Sequence, residues 1–314
     1  MASFDAVNYS IRPSKSIERQ LVFDGISRLK PHLDLDDMAY VGFGSVWFTD
    51  FVLAHRHLGI EDMVSIERDD IGYRRASFNA PYATVRVLHG DASEMLPTLY
   101  DDETMKDRPW LVWLDYDYEF EDTLKKDIVS VVENAPVNSI LIVTFNGHEQ
   151  RYGDTSDRPA HLRDLFGASV PDDLPKIACK RDRMQQTLAD FAQSFMLSTA
   201  AEIARPGGFV PAFRVVYRDD APMVTVGGLL PSKGASRIAA DIVGREDWPC
   251  RPPKPILAPH LTLREAAALQ SLLPRKEPLD RGMVRDLGFD LDERQLEAFE
   301  AYYRHYPSFA QVLA

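Results

Sequence analysis

The stretch Met38-Ala-Tyr-Val-Gly-Phe-Gly-Ser-Val-Trp47 decides how the rest of the chain is read. A short apolar run closes on two glycines two residues apart. Such a pair lets the backbone turn tightly at a strand end and lets a ligand come close, and a helix that follows presents unpaired N–H groups. Residues 38–42 therefore predict a first strand. Further apolar, β-branched runs recur at 63–67, 84–89, 110–115 and 139–145, with helix-spaced segments between them. The strand exits are marked by Gly44, Glu67, Asp91 and Asp115, at intervals of 23, 24 and 24 residues. Each interval holds one strand and one crossover helix, so the pattern predicts a doubly wound α/β fold with a mostly parallel sheet. The unbroken apolar character of 110–114 and 140–143 predicts central strands, covered on both faces.

The flanks complete this plan. Ile17, Leu21, Val22, Ile26 and Leu29 share one helical face, which predicts a leading helix over 15–29. Residues 150–183 are polar and broken by Gly153, Pro159, Gly167, Pro171 and Pro175, and read as an insertion or lid. A helix over 184–204 stops at Pro206-Gly-Gly, and the runs 213–217 and 223–229 enclose a turn cluster, as a hairpin does. A proline-rich joint at 249–255 precedes two helices, 262–273 and 292–306, with Thr262 and Asp292 as caps. The expected organisation is an N-terminal segment and helix over 1–35 as a candidate lid, a main domain over 36–248, and a C-terminal helical region over 256–314.

Charge bounds the partners. The 314 residues carry 36 Lys and Arg against 48 Asp and Glu, a net charge of −12, which argues against binding to a nucleic-acid duplex. The C-terminal region, with nine basic and nine acidic residues over 251–314, is a poor phosphate reader and is left as a surface for a protein partner. Residues 91–126 hold eleven acids against four bases, so the acidity concentrates beside the third and fourth strand exits. Cys179 and Cys250 are too few and too far apart for a disulfide framework or a thiolate zinc site. No apolar run approaches the ~20 residues that span a bilayer, and the first residues lack signal-peptide features, so the expected location is cytoplasmic.

In an open parallel sheet, ligands bind beyond the carboxyl ends of the strands, near the point where strand order reverses. The residues leaving the strands here are Gly42-Phe43-Gly44-Ser45, Glu67, Gly90-Asp91-Ala92 and Asp115-Tyr116-Asp117. An acid 23 residues past Gly44 suits a ribose, whereas Trp47 stands where the dinucleotide fingerprint needs its third glycine, which disfavours a nicotinamide oxidoreductase. Over residues 36–230 this order of elements resembles the class I (Rossmann-like) S-adenosylmethionine-dependent methyltransferases, with an O-methyltransferase-like character. The resemblance implies a seven-stranded sheet with an antiparallel last hairpin, S-adenosylmethionine as cofactor, and an unidentified methyl acceptor. It implies further that Gly42, Phe43, Gly44 and Ser45 line the methionine moiety. Glu67 would hold the ribose, Asp91 and Ala92 the adenine, and Asp115 would lie beside the sulfonium at the mouth of the acceptor pocket.

Metal-dependent O-methyltransferases of the catechol and caffeoyl type carry Asp-x-Asp after the fourth strand and Asp-Asn after the fifth. This chain has Asp115-Tyr-Asp117 but Phe145-Asn146, one ligand short, so no metal residues are assigned and Mg²⁺ is disfavoured. The Asp-Pro-Pro-Tyr tetrad of amino-methylating DNA enzymes is absent. Asn146 and His148 join Asp115 as candidate catalytic residues, His148 as a base for an acceptor hydroxyl. Asn8, Tyr9, Arg12, Lys15 and Arg19 form a polar N-terminal group expected to face the ligand, with replacement of Arg12 and Lys15 leaving the fold intact. A catalytically silent methyltransferase-like binding or sensor protein in a larger assembly is the alternative from another class.

Overall fold

A computed structural model describes residues 12–307. Seven strands form one sheet: β1 (Ala39–Gly42), β2 (Met63–Glu67), β3 (Val85–His89), β4 (Trp110–Glu119), β5 (Ser139–Asn146), β6 (Val210–Arg218) and β7 (Pro222–Leu230). Their order is β3-β2-β1-β4-β5-β7-β6. The first five run parallel, and β7 is antiparallel to both β5 and β6. Strand order reverses between β1 and β4, so the crevice beyond those two strands is where a ligand belongs.

Helices cover both faces. Even-numbered residues of β4 (Trp110, Val112, Leu114, Tyr116) join the core beneath α4 (Ala92–Tyr100), α5 (Asp122–Asn134) and α7 (Arg181–Glu202). Odd-numbered ones (Leu111, Trp113) join the opposite core, built with α1 (Pro13–Leu29), α2 (Thr49–Leu58) and α8 (Ser236–Val243). The alternation follows from the two-residue period of a strand and makes residues 110–114 of β4 apolar toward both faces. Ala76 of α3 (Asp70–Asn79) also packs into this second core, beside the sheet edge.

Two segments outside the βα units also join the cores. Residues 150–183 fold onto the main core: Tyr152, together with Leu162 and Phe166 of α6 (Arg158–Phe166), is buried there. Their few apolar side chains anchor the segment despite its polar composition. In the C-terminal region α9 (Leu263–Gln270), α10 (Arg281–Asp286) and α11 (Glu293–Tyr302) close a third core, but that core includes Ile17 and Leu21 of α1 and Val215 and Tyr217 of β6. The region therefore packs on the main domain through a shared core. A bridge between Tyr217 and Ile256 covers the edge of β6, and Phe299 and Tyr306 pack inward with ring centroids 5.2 Å apart and planes tilted by 60°. Capping boxes at Thr262 and Asp292 start α9 and α11. Phe309, Asn8 and Tyr9 lie outside the described residues.

Candidate functional site

A cleft of about 1030 Å³ opens at the carboxyl ends of β1, β2, β3 and β4. It gathers Phe43, Gly44, Ser45, Glu67, Asp91, Ala92, Asp115 and Asn146 from the strand exits. Gly42 lies beneath it, where an added Cβ would stand 2.9 Å from the Trp113 carbonyl oxygen. His148 is not part of its lining: the ring nitrogen Nδ1 accepts the Gln150 N–H at 3.3 Å and caps the turn Glu149–Tyr152.

The turn after β1 is tight for reasons internal to the protein. Gly44 donates its N–H to Ser65 Oγ at 3.0 Å, and a Cβ there would meet Ser65 Oγ at 2.6 Å as well as the Phe48 ring. Ser45 and Phe48 both adopt left-handed backbone, φ 49° and 48°, a conformation costly for residues with a Cβ and found where a site fixes its backbone. Sequence reading saw the glycine pair as room for a ligand. Here Gly44 also makes room for the ring and hydroxyl that hold the turn.

Two ends of the cleft differ in chemistry. At one end Glu67 is half-buried and accepts the Asp69 N–H at 3.1 Å, and burial raises its carboxyl pKa. Asp91 is half exposed, 3.6 Å from the Arg68 guanidinium, and Ala92 starts α4 beside it. Asp127 of α5 completes this end. It is 1% exposed, accepts the Tyr116 hydroxyl at 2.6 Å through Oδ2, and has no hydrogen-bond partner at Oδ1. Burial, then the charge of Asp91, pushes its carboxyl pKa up against the hydrogen bond from Tyr116. Tyr116 in turn sets its ring edge-on to Phe43 at 5.0 Å. The sequence reading missed Asp127, because an acid in an amphipathic helix among Asp122, Lys125 and Lys126 looks solvated.

At the other end stand Arg12, Lys15, Arg19, Asn146, Tyr217, Asp219 and Met223. Lys15 is buried, with Nζ 2.8 Å from Asp115 Oδ2, 3.4 Å from Glu18 Oε2, and over the rings of Trp113 and Tyr217. Arg19 pairs with Asp50 alongside. Glu18 accepts the Thr225 hydroxyl at 2.6 Å, and burial lifts its carboxyl pKa to about 7 against the pull of Lys15. Lys15 is thus a member of the cleft floor, held by Asp115 and Glu18. Asn146 turns its carboxamide oxygen to the His148 N–H at 2.8 Å. Phe145, at the position of a metal ligand in catechol-type enzymes, points to the other face and packs on Phe120. Among the described residues no group of three or more His, Cys, Asp or Glu is placed to hold a metal ion. Among them also, no helix is long and apolar enough to cross a membrane.

The sheet order, the antiparallel last hairpin and the cleft at the switch point define a class I S-adenosylmethionine-dependent methyltransferase fold. A family model described as "Putative O-methyltransferase" matches residues 7–314, and the chain belongs to that family. No curated protein sequence matches the chain significantly. Among solved structures it is similar to Trm1 of Pyrococcus horikoshii in complex with S-adenosyl-L-methionine, at 11% identity and TM-score 0.48, over 71% of this chain and 57% of that one. It is also similar to an arsenic(III) S-adenosylmethionine methyltransferase of Chlamydomonas reinhardtii, at 9% identity and TM-score 0.39, over 63% and 64% of the two chains. A third is a TehB-like methyltransferase of Corynebacterium glutamicum, at 10% identity and TM-score 0.35, over 68% and 86%. The chain thus spans little more than half of the Trm1 chain it matches.

Proposed function

We propose that the protein transfers a methyl group from S-adenosylmethionine to a hydroxyl oxygen of an acceptor bound between Asn146, Tyr217, Asp219 and Met223. The observation that carries this reading is the convergence of Phe43, Gly44, Ser45, Glu67, Asp91 and Ala92 on one end of the cleft, with Asp115 at the passage to the other. The residues fit the cofactor. Carboxylates at Glu67 and Asp91 accept from hydroxyl and amino groups, and the unpartnered Oδ1 of buried Asp127 requires a donor that a nucleoside supplies. The family description favours oxygen as the methylated atom.

In this reading Glu67 holds the ribose hydroxyls, and the turn Gly42–Ser45 positions the methionine moiety. Ala92 presents its backbone N–H to the adenine ring, with Asp91 nearby. Bound S-adenosylmethionine supplies an electrophilic methyl group on a positively charged sulfur. The protein's part is to align the acceptor oxygen with that methyl and to take up the hydroxyl proton, since an in-line displacement gains most from positioning. Asp115, ion-paired with Lys15, is assigned to the proton, and Asn146 to orienting the acceptor. His148 has no assigned part, because it lies off the cleft lining. The catalytic unit is residues 36–248, with α1 as a fixed wall of its cleft.

Isothermal calorimetry tests the reading. Wild type should bind S-adenosylmethionine and S-adenosylhomocysteine, and Glu67→Ala should lose about 10- to 100-fold in affinity, the worth of hydrogen bonds to a charged acceptor. Absence of binding by wild type overturns it.

A further inference from the structure

Asp127 is a buried carboxylate with half of its hydrogen-bonding capacity unused. Its Oδ2 is taken by Tyr116, its Oδ1 has no partner, and the residue lines the same cleft end as Asp91 and Ala92. Buried polar atoms are almost always paired, so a buried carboxylate oxygen without a partner, on a residue of the cleft wall, marks the place of a donor brought by the ligand. In its ionised form, which an incoming donor favours, the carboxylate only accepts, and this selects an N–H or O–H over a carbonyl. We propose that Asp127 reads the exocyclic amino group of the adenine and makes the site reject a 6-oxopurine; the inference rests on the cofactor reading given above.

The competing reader, Asp91, is poorly suited to discrimination. Its side chain is 50% exposed and lies 3.6 Å from Arg68, so water compensates it when a ligand offers no donor. Asp127 is 1% exposed and has no such recourse. A site built on a buried acceptor rejects a ligand lacking the matching donor far more strongly than one built on a solvated acceptor. Asp127 is also held in place on the protein side. Tyr116, the donor to Oδ2, is itself buried and packed edge-on against Phe43 of the β1 turn. The carboxylate that reads the base and the turn that carries the methionine moiety are therefore linked through one tyrosine.

The test compares S-adenosylhomocysteine with its deaminated analogue S-inosylhomocysteine by calorimetry on the full chain. Wild type should prefer the amino compound by about 100-fold, as expected for a site that hydrogen-bonds the missing group. Asp127→Asn keeps the shape and still accepts from Tyr116, but it can present an N–H₂ where Oδ1 stood, and it should reduce that preference at least tenfold. Asp91→Asn should leave most of the preference in place. If Asp127→Asn does not fold, as judged by circular dichroism, Asp127→Ser takes its place under the same criterion. A preference unchanged in the Asp127 variant, or transferred to the Asp91 variant, overturns the assignment of the base to Asp127 while leaving the cofactor reading standing. Wild type that binds neither compound overturns both. Wild type that binds them equally overturns only the assignment to Asp127.

Discussion

Lys15 Nζ lies 2.8 Å from Asp115 Oδ2, tying the first helix to the exit of the central strand beneath the cleft. The contact exists because odd-numbered residues of β4 face α1: Trp113 lies under the same ammonium, 5.1 Å from ring centroid to Nζ. Asp115 therefore meets the acceptor end of the cleft already paired with a cation.

Replacing Lys15 by Met should destabilise the protein by about 3 kcal/mol, because removing one partner of a largely buried pair leaves the other without compensation. Urea denaturation measures it. The double variant Lys15→Met with Asp115→Asn should recover part of the loss, since the neutral amide no longer needs the cation. A Lys15→Met protein as stable as wild type would show that Asp115 is satisfied by solvent.

Glu18 carries a pH dependence of the opposite sense to that of an ordinary surface carboxylate. Burial is the largest cause of its shift from 4.5 to about 7, with Asp115 also raising it and Lys15, the Thr225 hydroxyl and Arg19 lowering it. The folded chain then keeps a proton that the unfolded chain releases above 4.5. The associated stability is fully present below pH 4.5 and is lost as pH rises through 7, after which it levels off. Lys15, with a pKa raised above 10.5, does not titrate in this window. Glu18→Gln does not titrate there either and keeps an acceptor for Thr225. Its stability relative to wild type should therefore improve by about 3 kcal/mol between pH 4.5 and pH 8. Thermal melts of both proteins across that range decide it, and parallel curves would show that Glu18 is ionised in the fold.

Gly44→Ala should cost about 1 to 3 kcal/mol, the usual penalty for forcing volume into a packed site. The added methyl would press on the buried Phe48 ring and stand 2.6 Å from Ser65 Oγ, the acceptor of the Gly44 N–H. Relief requires the turn to move toward the cleft, so affinity for S-adenosylhomocysteine should fall about tenfold or more, a shift near 1.4 kcal/mol. Unaltered affinity alongside reduced stability would separate the turn from the ligand.

The spacing of Gly44, Glu67, Asp91 and Asp115 was legible because each βα unit consumes a similar length of chain, and the second strand falls on residues 63–67 as expected. Strand β4 extends past the expected Asp115 to Glu119, where its pairing with β5 resumes after a bulge, since Tyr116 and Tyr118 carry the strand pattern on. What stayed hidden depends on contacts across long separations. Lys15 and Asp115 are a hundred residues apart, and only the facing of β4 brings them together. Asp127 stands among charged neighbours on a helix, and its burial depends on Tyr116 beneath it. His148 turns its ring nitrogen to the Gln150 N–H, a contact that composition does not announce.

Asp219 holds the first helix in register with the hairpin, and its loss should be felt at the acceptor end. Arg12 has no side-chain acceptor with which to cap α1. The turn between β6 and β7 provides the cap instead: Asp219 accepts the Ser14 N–H at 2.9 Å and the Lys15 N–H at 3.0 Å. Arg12 donates to the neighbouring Asp220 at 2.7 Å, and the Ser14 hydroxyl donates to the Arg218 carbonyl at 2.9 Å. A carboxylate at a helix N-terminus satisfies orphan donors and opposes the helix dipole, so Asp219→Ala should cost about 1 to 2 kcal/mol. The helix start also carries Lys15, so fraying there loosens the Lys15–Asp115 contact. Hydrogen exchange should therefore quicken at the amides of Ser14 and Lys15, and to a smaller degree at Asp115, while amides of β2 and β3 keep their protection. Exchange that quickens only in the hairpin turn would show that α1 is held by its core packing alone, through Ile17 and Leu21.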